Sequence, residues 1–361
     1  MPLRAIIGNK EVISTELTSD EWNELKKSVR STSDEIILPC CHQSGNMRTS
    51  KLGLNHFYHK VADTCNYKPE SAQHLKAKKE IIMACHANNW NATPEYAEED
   101  WIADVLATND KRRLAFEVQW SKQTSEETSR RQERYERSGV KGCWLMRTIP
   151  KELRNWGNLP KPDKNIPIFK IHEADDKQIM VDLEIVQLPI FEFINSLFNG
   201  HIKFCEFHST KPKQHLCIRF YEKHCWKCHK PQHAYNIYHG LTTKCGTELH
   251  VDQGFWDSGS LEKHPAVIKA VQQFQQSDDG NHLKIGEVKR RYSKTVREKY
   301  LSFGCYYCDA IFGDFFMFEE SLDVAYDESL LTLDTEVDLG TFDDEHQHWC
   351  YSRTKDFCKE K

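Results

Sequence analysis

Asp104 and Glu117 are spaced to do chemistry together. If the chain folds as a hairpin centred on Asp110 and Lys111, residues whose numbers sum to 221 lie opposite one another, and these two acids are such a pair. Directly opposed side chains in a hairpin hold their Cβ atoms about 4.5–5.5 Å apart, and like charges there destabilise the sheet. Something positive belongs between them. Opposed carboxylates are the hard-oxygen surroundings that Mg²⁺ or Mn²⁺ prefers, and such an ion cancels the repulsion and activates water. On spacing alone two readings stay open: a bound divalent ion, or acids that are solvated or paired with Lys or Arg. Strand alternation puts Trp101, Ala103, Val105, Leu114, Phe116 and Val118 on an apolar core face, and Asp104, Glu117 and Gln119 on the other.

The cysteines offer a second chemistry. Cys225-Trp-Lys-Cys228 and Cys305-Tyr-Tyr-Cys308 are two CxxC knuckles, the ligand arrangement of a tetrahedral structural Zn²⁺ site. Their 76 intervening residues far exceed the usual spacing, so an insertion carrying Cys245 and a helix from Pro265 to Gln276 must lie between them. His224, His229 and Cys245 are the substitute ligands. A further set, Cys40, Cys41, His56, His59 and Cys65, reads either as a zinc site or as buried thiols with ordinarily bonded histidines. The 14 cysteines lack a preceding signal-peptide apolar run, which favours metal binding over disulfides.

These residues need elements to position them. Leu75, Ile81, Ile82 and Cys85 recur at helical spacing within Glu70–Asn89. Strands are expected over 92–98, 101–107 and 114–120, then a helix over 124–138 with Thr124 and Glu127 in capping-box spacing and Gly139 as its stop, then a strand over 142–147. Prolines 150, 160, 162 and 167 and the polar stretch 209–214 mark seams. The expected organisation is an N-terminal Cys/His module (1–66), a catalytic core (67–150), a linker with helical extension (151–215) and a zinc-ribbon-like α+β domain with an acidic tail (216–361).

Charge is unevenly spread. Residues 309–349 hold thirteen acids and no Lys or Arg, and positions 1–308 carry 45 basic against 39 acidic residues, a mildly basic body that suits nucleic acid. The acidic stretch either covers that surface or solubilises the chain end, and the second is the simpler reading. The run Lys289-Arg290-Arg291-Tyr292-Ser293-Lys294 reads as a phosphate track or a solvated face. No apolar run is long enough to span a bilayer and no GxxxxGK sequence is present, so a membrane partner and an ATP-driven motor are not expected, and a cytoplasmic location is.

The series Glu70-Ser71, His74, Lys78, then Ala103-Asp104-Val105-Leu106-Ala107, then Phe116-Glu117-Val118-Gln119-Trp120-Ser121 resembles the nuclease domain of competence protein CoiA-like proteins. These belong to the PD-(D/E)xK phosphodiesterases, whose αβββαβ core has the element order expected above. Arg134, Tyr135, Gly139 and Trp144 fit the following helix and strand, and Phe193, Ile194, Leu197 and Gly200 are similar to the family's next helix. Pro39-Cys40-Cys41 with His56-Phe57-Tyr58-His59 is similar to the family's amino-terminal cysteine and HFxH pattern.

The resemblance implies a bacterial, Mg²⁺-dependent nuclease acting on incoming, recombining or foreign DNA, with RNA also open as substrate. Asp104 and Glu117 would hold the metal, Glu70 would be an outer ligand or water-holding acid, and Gln119 would position water or a phosphate oxygen. Lysine often stands where Gln119 does; glutamine is similar to the CoiA-like branch, but it supplies no positive charge. A noncatalytic nucleic-acid-binding protein built on the same fold is the alternative. His74 and Lys78 share a helix face that would pack toward the site, and both are candidate nucleic-acid contacts. Arg130, Arg131, Arg134 and Arg137 either contact phosphate or pair with Glu126, Glu127 and Glu133 at i, i+4. Gln132 near Tyr135 is similar to the glutamine and tyrosine pair of some related exonucleases.

Overall fold

A computed structural model describes residues 2–39, 41–50, 53–61, 70–110, 112–155, 158–237, 240–249, 261–325 and 327–361. The chain divides into two compact units, 1–206 with 346–361, and 207–345. No described helix is long and apolar enough to cross a membrane.

The first unit opens with β1 (Arg4–Ile7), β2 (Lys10–Ile13), α1 (Ser19–Thr32), β3 (Ile36–Leu38), β4 (Gln43–Thr49) and β5 (Asn55–His59). The strands form one sheet in the order β2-β1-β3-β4-β5. Helix α1 starts on a reciprocal cap: the Thr18 hydroxyl accepts the Glu21 N–H, and the Glu21 carboxylate accepts the Thr18 N–H. Its Trp22 meets Phe57 edge-on and closes a small core with Ala5, Ile7 and Leu38.

The chain continues through α2 (Ala72–Ala87), β6 (Asn91–Ala97), β7 (Ile102–Asn109), β8 (Arg112–Gln119), α3 (Ser125–Arg137) and β9 (Lys141–Met146). This is the expected order of helix, three strands, helix and strand, with each boundary within two residues of its expected place. Thr124 caps α3 by accepting the Glu127 N–H at 3.2 Å, and Gly139, at φ +66°, supplies the left-handed residue that ends it.

Residues 151–215, expected as a linker with a helical extension, hold that helix and several strands besides. They supply β10 (Ile168–Glu173), β11 (Ile179–Leu183), β12 (Val186–Pro189), α4 (Ile190–Phe198) and β13 (Ile202–Ser209). Three of these strands complete a seven-stranded sheet in the order β12-β11-β10-β9-β8-β7-β6. Pro94 is tolerated because β6 is an edge strand. Strands β8, β9 and β10 run parallel, so the chain must cross over between them, and α3 makes the first crossover.

This sheet is covered on both faces, as sheets with parallel strands usually are. Helices α2 and α4 bury Val105, Phe116, Val118 and Leu145 on one side. Tyr135 of α3 closes the other over Leu106, Ala115 and Trp144. The face expected to be polar is therefore largely a second core. Trp101 and Ala103 belong to it, and do not join Val105 as simple alternation predicts.

The second unit holds β14 (Lys213–His224), β15 (Pro231–Ile237), β16 (Leu241–Thr242), β17 (Glu248–Leu249), α5 (Pro265–Phe274), β18 (Lys289–Tyr292), β19 (Lys299–Ser302), α6 (Asp314–Asp323) and β20 (Leu331–Asp338). Strand β14 is central, between β15 and β20. The acidic stretch is thus no tail: β20 pairs with β14 from Lys213↔Asp338 to Phe220↔Leu331. The last strand, β21 (Asp343–Tyr351), pairs with β13, and residues 346–361 belong to the first unit.

Candidate functional site

The hairpin register is the expected one, with Val105↔Phe116 and Leu106↔Ala115 both summing to 221, although Lys111 at its tip lies outside the described residues. Regular pairing stops one step short of Asp104 and Glu117. There the Val118 N–H donates to the Asp104 carboxylate at 2.8 Å. On the other side Pro94↔Val105 and Tyr96↔Ala103 flank Glu95, whose φ of +46° marks an irregular strand. The interruption frees Asp104 from simple alternation and turns its carboxylate toward α2.

Ser71 caps α2 by accepting the His74 N–H at 3.2 Å, which leaves Glu70 just ahead of the helix and His74 and Lys78 on one face of it. His74 Nε2 lies 3.2 Å from Asp104 Oδ2 and 3.6 Å from Glu70 Oε1. One ligand atom from each of Glu70, His74 and Asp104 lies within 4.8 Å of the other two, so this trio could hold a metal ion. Lys78 is wholly buried, 3.1 Å from Glu70 and in direct ion pairing with Glu95. That placement closes it to nucleic acid, and its role is to neutralise two buried acids. Glu95, which sequence reasoning missed, also accepts the Leu3 N–H at 3.1 Å and so ties the N-terminal module to this site. Its only sequence signal is an acid between the strand residues Pro94 and Tyr96.

Glu117 is fully buried. Arg131 donates to its Oε2 at 2.5 Å, and the Tyr135 hydroxyl donates to its Oε1. Both donors also bond the Ile102 carbonyl, at 3.2 and 3.1 Å. Arg131 lies over the Trp144 ring, and Trp144 donates to Gln132 at 3.0 Å. Among the described residues Glu117 does not join the ligand trio. The positive charge that the opposed acids require is supplied by His74 to Asp104 and by Arg131 to Glu117.

The environments push the two acids apart. Burial raises the pKa of Asp104, but His74 and then Lys78 outweigh it and hold the carboxyl well below its usual range. Burial drives Glu117 up to about 7 despite Arg131, with the Asp104 charge adding to the rise. Burial works against the charged form of His74, yet Asp104 and Glu70 raise it on balance. A pair of carboxyls held in opposite protonation tendencies is characteristic of sites that do chemistry.

Other expected residues are more dispersed. Gln119 is half-buried at the end of β8, paired with Met146. Arg130 is exposed and 3.0 Å from Glu127, while Arg134 donates to the Asp100 carbonyl at 3.0 Å and Arg137 pairs with Asp100 at 3.2 Å. The expected i, i+4 pairs of this helix give way to these contacts and to Arg131 turning inward. Cys41 Sγ meets His59 Nε2 at 3.3 Å. His56 points to the opposite face of β5, buried, with Nδ1 donating to the Leu54 carbonyl at 3.1 Å. It therefore does not join them; Cys40 and Cys65 lie outside the described residues.

In the second unit the four knuckle cysteines converge. Cys225 and Cys308 sulfurs are 3.7 Å apart, and those of Cys228 and Cys305 are 3.6 Å apart. The knuckles are built alike. In each, the first cysteine's sulfur accepts two backbone N–H bonds, from Lys227 and Cys228 or from Tyr307 and Cys308. In each, the residue after the second cysteine, His229 or Asp309, takes positive φ and donates its N–H to the first cysteine's carbonyl. Such sulfurs can hold a metal such as zinc. Cys245 is elsewhere, 3.5 Å from His208 Nδ1. Within the basic run Arg291 is buried on Asp309 and the Glu287 and Ser302 carbonyls, so it braces the second knuckle.

Residues 70–166 match the family model described as competence protein CoiA, nuclease-like domain. This segment is similar to the CoiA nuclease-like domain. No curated protein and no solved structure matches the chain. The CoiA match begins at Glu70 and contains the trio together with Glu117, Gln119, Arg131 and Tyr135. The zinc-type knuckles lie outside it.

Proposed function

We propose that the CoiA-like domain is a metal-dependent DNA phosphodiesterase of the PD-(D/E)xK kind, with the zinc-type unit holding or selecting the substrate. The observation that carries this reading is the trio Glu70, His74 and Asp104 beside Glu117, inside a domain that matches a nuclease-like family. Two carboxylates and an imidazole suit Mn²⁺ as well as Mg²⁺. A divalent ion there would activate water and offset charge developing on the leaving oxygen. Asp104, fixed by the Val118 N–H, stays ionised as the central ligand. Arg131 and Tyr135 hold Glu117 in place, and Gln119 at the strand end orients water or a phosphate oxygen. Arg130, exposed on α3, and Arg134 on the same helix suit backbone phosphates. Processing of incoming, recombining or foreign DNA in the bacterial cytoplasm is the role that fits a CoiA-like domain.

A noncatalytic nucleic-acid-binding protein is the second reading. It is favoured by Gln119, which supplies no charge, and by the enclosure of Glu117 between Arg131 and Tyr135.

Cleavage of labelled single-stranded, duplex and branched DNA, and of RNA, with Mg²⁺ or Mn²⁺ separates the two. Asp104→Ala is expected to lower cleavage by more than about a hundredfold, and Glu117→Ala by about ten- to a hundredfold, the range for outer-shell changes at metal sites. Equal cleavage by the variants rejects the site. No cleavage of any substrate favours the binding protein.

A further inference from the structure

We propose that Cys205, His348, Cys350 and Cys358 hold a zinc ion in the first unit, separate from the four-cysteine centre of the second. All four are buried, at 0, 1, 0 and 4% exposure. Ligand atoms of Cys205, His348 and Cys350 lie within 4.8 Å of one another, and those of His348 and Cys358 are equally close. The Cys205 thiol also donates to the Cys358 carbonyl at 3.2 Å.

The fold builds this cluster deliberately. His348 and Cys350 alternate on one face of β21, and Trp349 between them points the other way, against Phe169 and Phe204 with ring centroids 5.3 Å away. Cys205 comes from β13. The segment after β21 turns back because the Ser352 N–H bonds the His201 carbonyl at 2.9 Å and the Glu206 N–H bonds the Lys359 carbonyl at 3.1 Å. Cys358 is thereby returned beside Cys205.

Chemistry separates these thiols from ordinary buried ones. Cys85 and Cys143 pack into the main apolar core as small hydrophobes, whereas Cys205, Cys350 and Cys358 belong to none of the described apolar clusters. A buried imidazole stands among them. Its Nδ1–H donates to the His346 carbonyl at 3.0 Å, which fixes the tautomer that presents the Nε2 lone pair. A tetrahedral Cys₃His centre with bonds of about 2.0–2.3 Å needs donor separations of about 3.3–3.8 Å; Cys205, His348 and Cys350 lie within 4.8 Å of one another, and the Cys358 sulfur, close to His348 but not grouped with the other two sulfurs, has to turn toward them to become the fourth ligand. With no carboxylate in the set, zinc is preferred over Mg²⁺. The centre would staple the last residues of the chain to β13 and β21, and the absence of any CxxC among its ligands conceals it from motif reading.

Zinc per chain, measured on the full-length protein purified without chelator, tests this. At least two zincs per chain are expected. Cys225→Ser/Cys228→Ser should lower the count by one, and Cys350→Ser or His348→Ala should lower it by one in the wild type and again in that double variant. His348→Cys keeps a thiolate ligand and should retain the ion, which separates ligation from simple misfolding. Cobalt-loaded Cys225→Ser/Cys228→Ser protein should show thiolate charge-transfer absorption that Cys358→Ser and Cys205→Ser weaken. A zinc count unchanged by Cys350→Ser and His348→Ala overturns the proposal. So does a single zinc that Cys225→Ser/Cys228→Ser removes, or a Cys205–Cys350 disulfide found by mass spectrometry under non-reducing conditions.

Discussion

At Glu117 the structure places a fully buried acid whose charge is compensated by one guanidinium and one phenol. Removing one partner of a buried ion pair leaves the other charge without compensation, at a cost of about 3–5 kcal/mol. Arg131→Met is therefore expected to destabilise the protein by about that much in urea unfolding, and Arg131→Met/Glu117→Gln to recover most of it. If the double variant is no more stable than the single one, Arg131 does not act through Glu117. The sequence made the pairing of β7 with β8 legible, because polar residues at the tip and alternating apolar residues on both strands permit one register. It did not reveal the partner of Glu117. Arg131 has a local acid available at Glu127, and the choice between that exposed pair and Glu117 depends on α3 lying across the sheet. Glu95 was invisible for a related reason: only the burial of Lys78 gives an acid a purpose there.

At the scale of elements, α3 and β9 meet through a missing side chain. A Cβ on Gly142 would lie 2.2 Å from Gln132 Oε1 and 3.1 Å from Trp144 Nε1. Gln132 cannot swing away without loss, because it accepts from Trp144 at 3.0 Å and donates to Glu136 and to the Asn165 carbonyl. Gly142→Ala should cost about 1–3 kcal/mol, the penalty for leaving a buried donor unsatisfied. In a Gln132→Ala background the same change should cost much less; additive losses in that cycle would show that the clash lies elsewhere. The helices and first strands were readable because caps and periodicity are local signals. Strands β10, β11 and β12 were not, since four prolines nearby suggest a linker and β10 owes its place to a parallel partner, β9, more than twenty residues earlier. The full burial of the sheet was hidden likewise: alternation predicts one apolar face, and only the placement of α3 covers the other.

For the molecule as a whole, two chemistries sit in separately packed units, and metal removal should distinguish them. The second unit spans Phe207–Glu345 and closes its core around Cys225 and Cys305. Ion binding there is coupled to folding, because a preformed set of four sulfurs does not exist in the unfolded chain. Cys225→Ser or Cys308→Ser should release that zinc, and retention by both would reject the centre. In hydrogen exchange the same variants should lose protection over β14, β15 and residues 299–312, while α2, β7, β8 and β9 keep theirs. Uniform loss across both units would mean that the knuckles support the entire chain. The knuckles were legible as CxxC pairs although 76 residues separate them, because each is a local turn that the sequence writes out in full. Their convergence was not, since it requires α5 and two small ladders to fold between them. A domain that keeps its trio of Glu70, His74 and Asp104 after losing the zinc of the other unit should also keep its divalent-ion affinity. Calorimetric titration of Mn²⁺ into Cys225→Ser protein checks this, and a lost response there would place the knuckles upstream of the CoiA-like site.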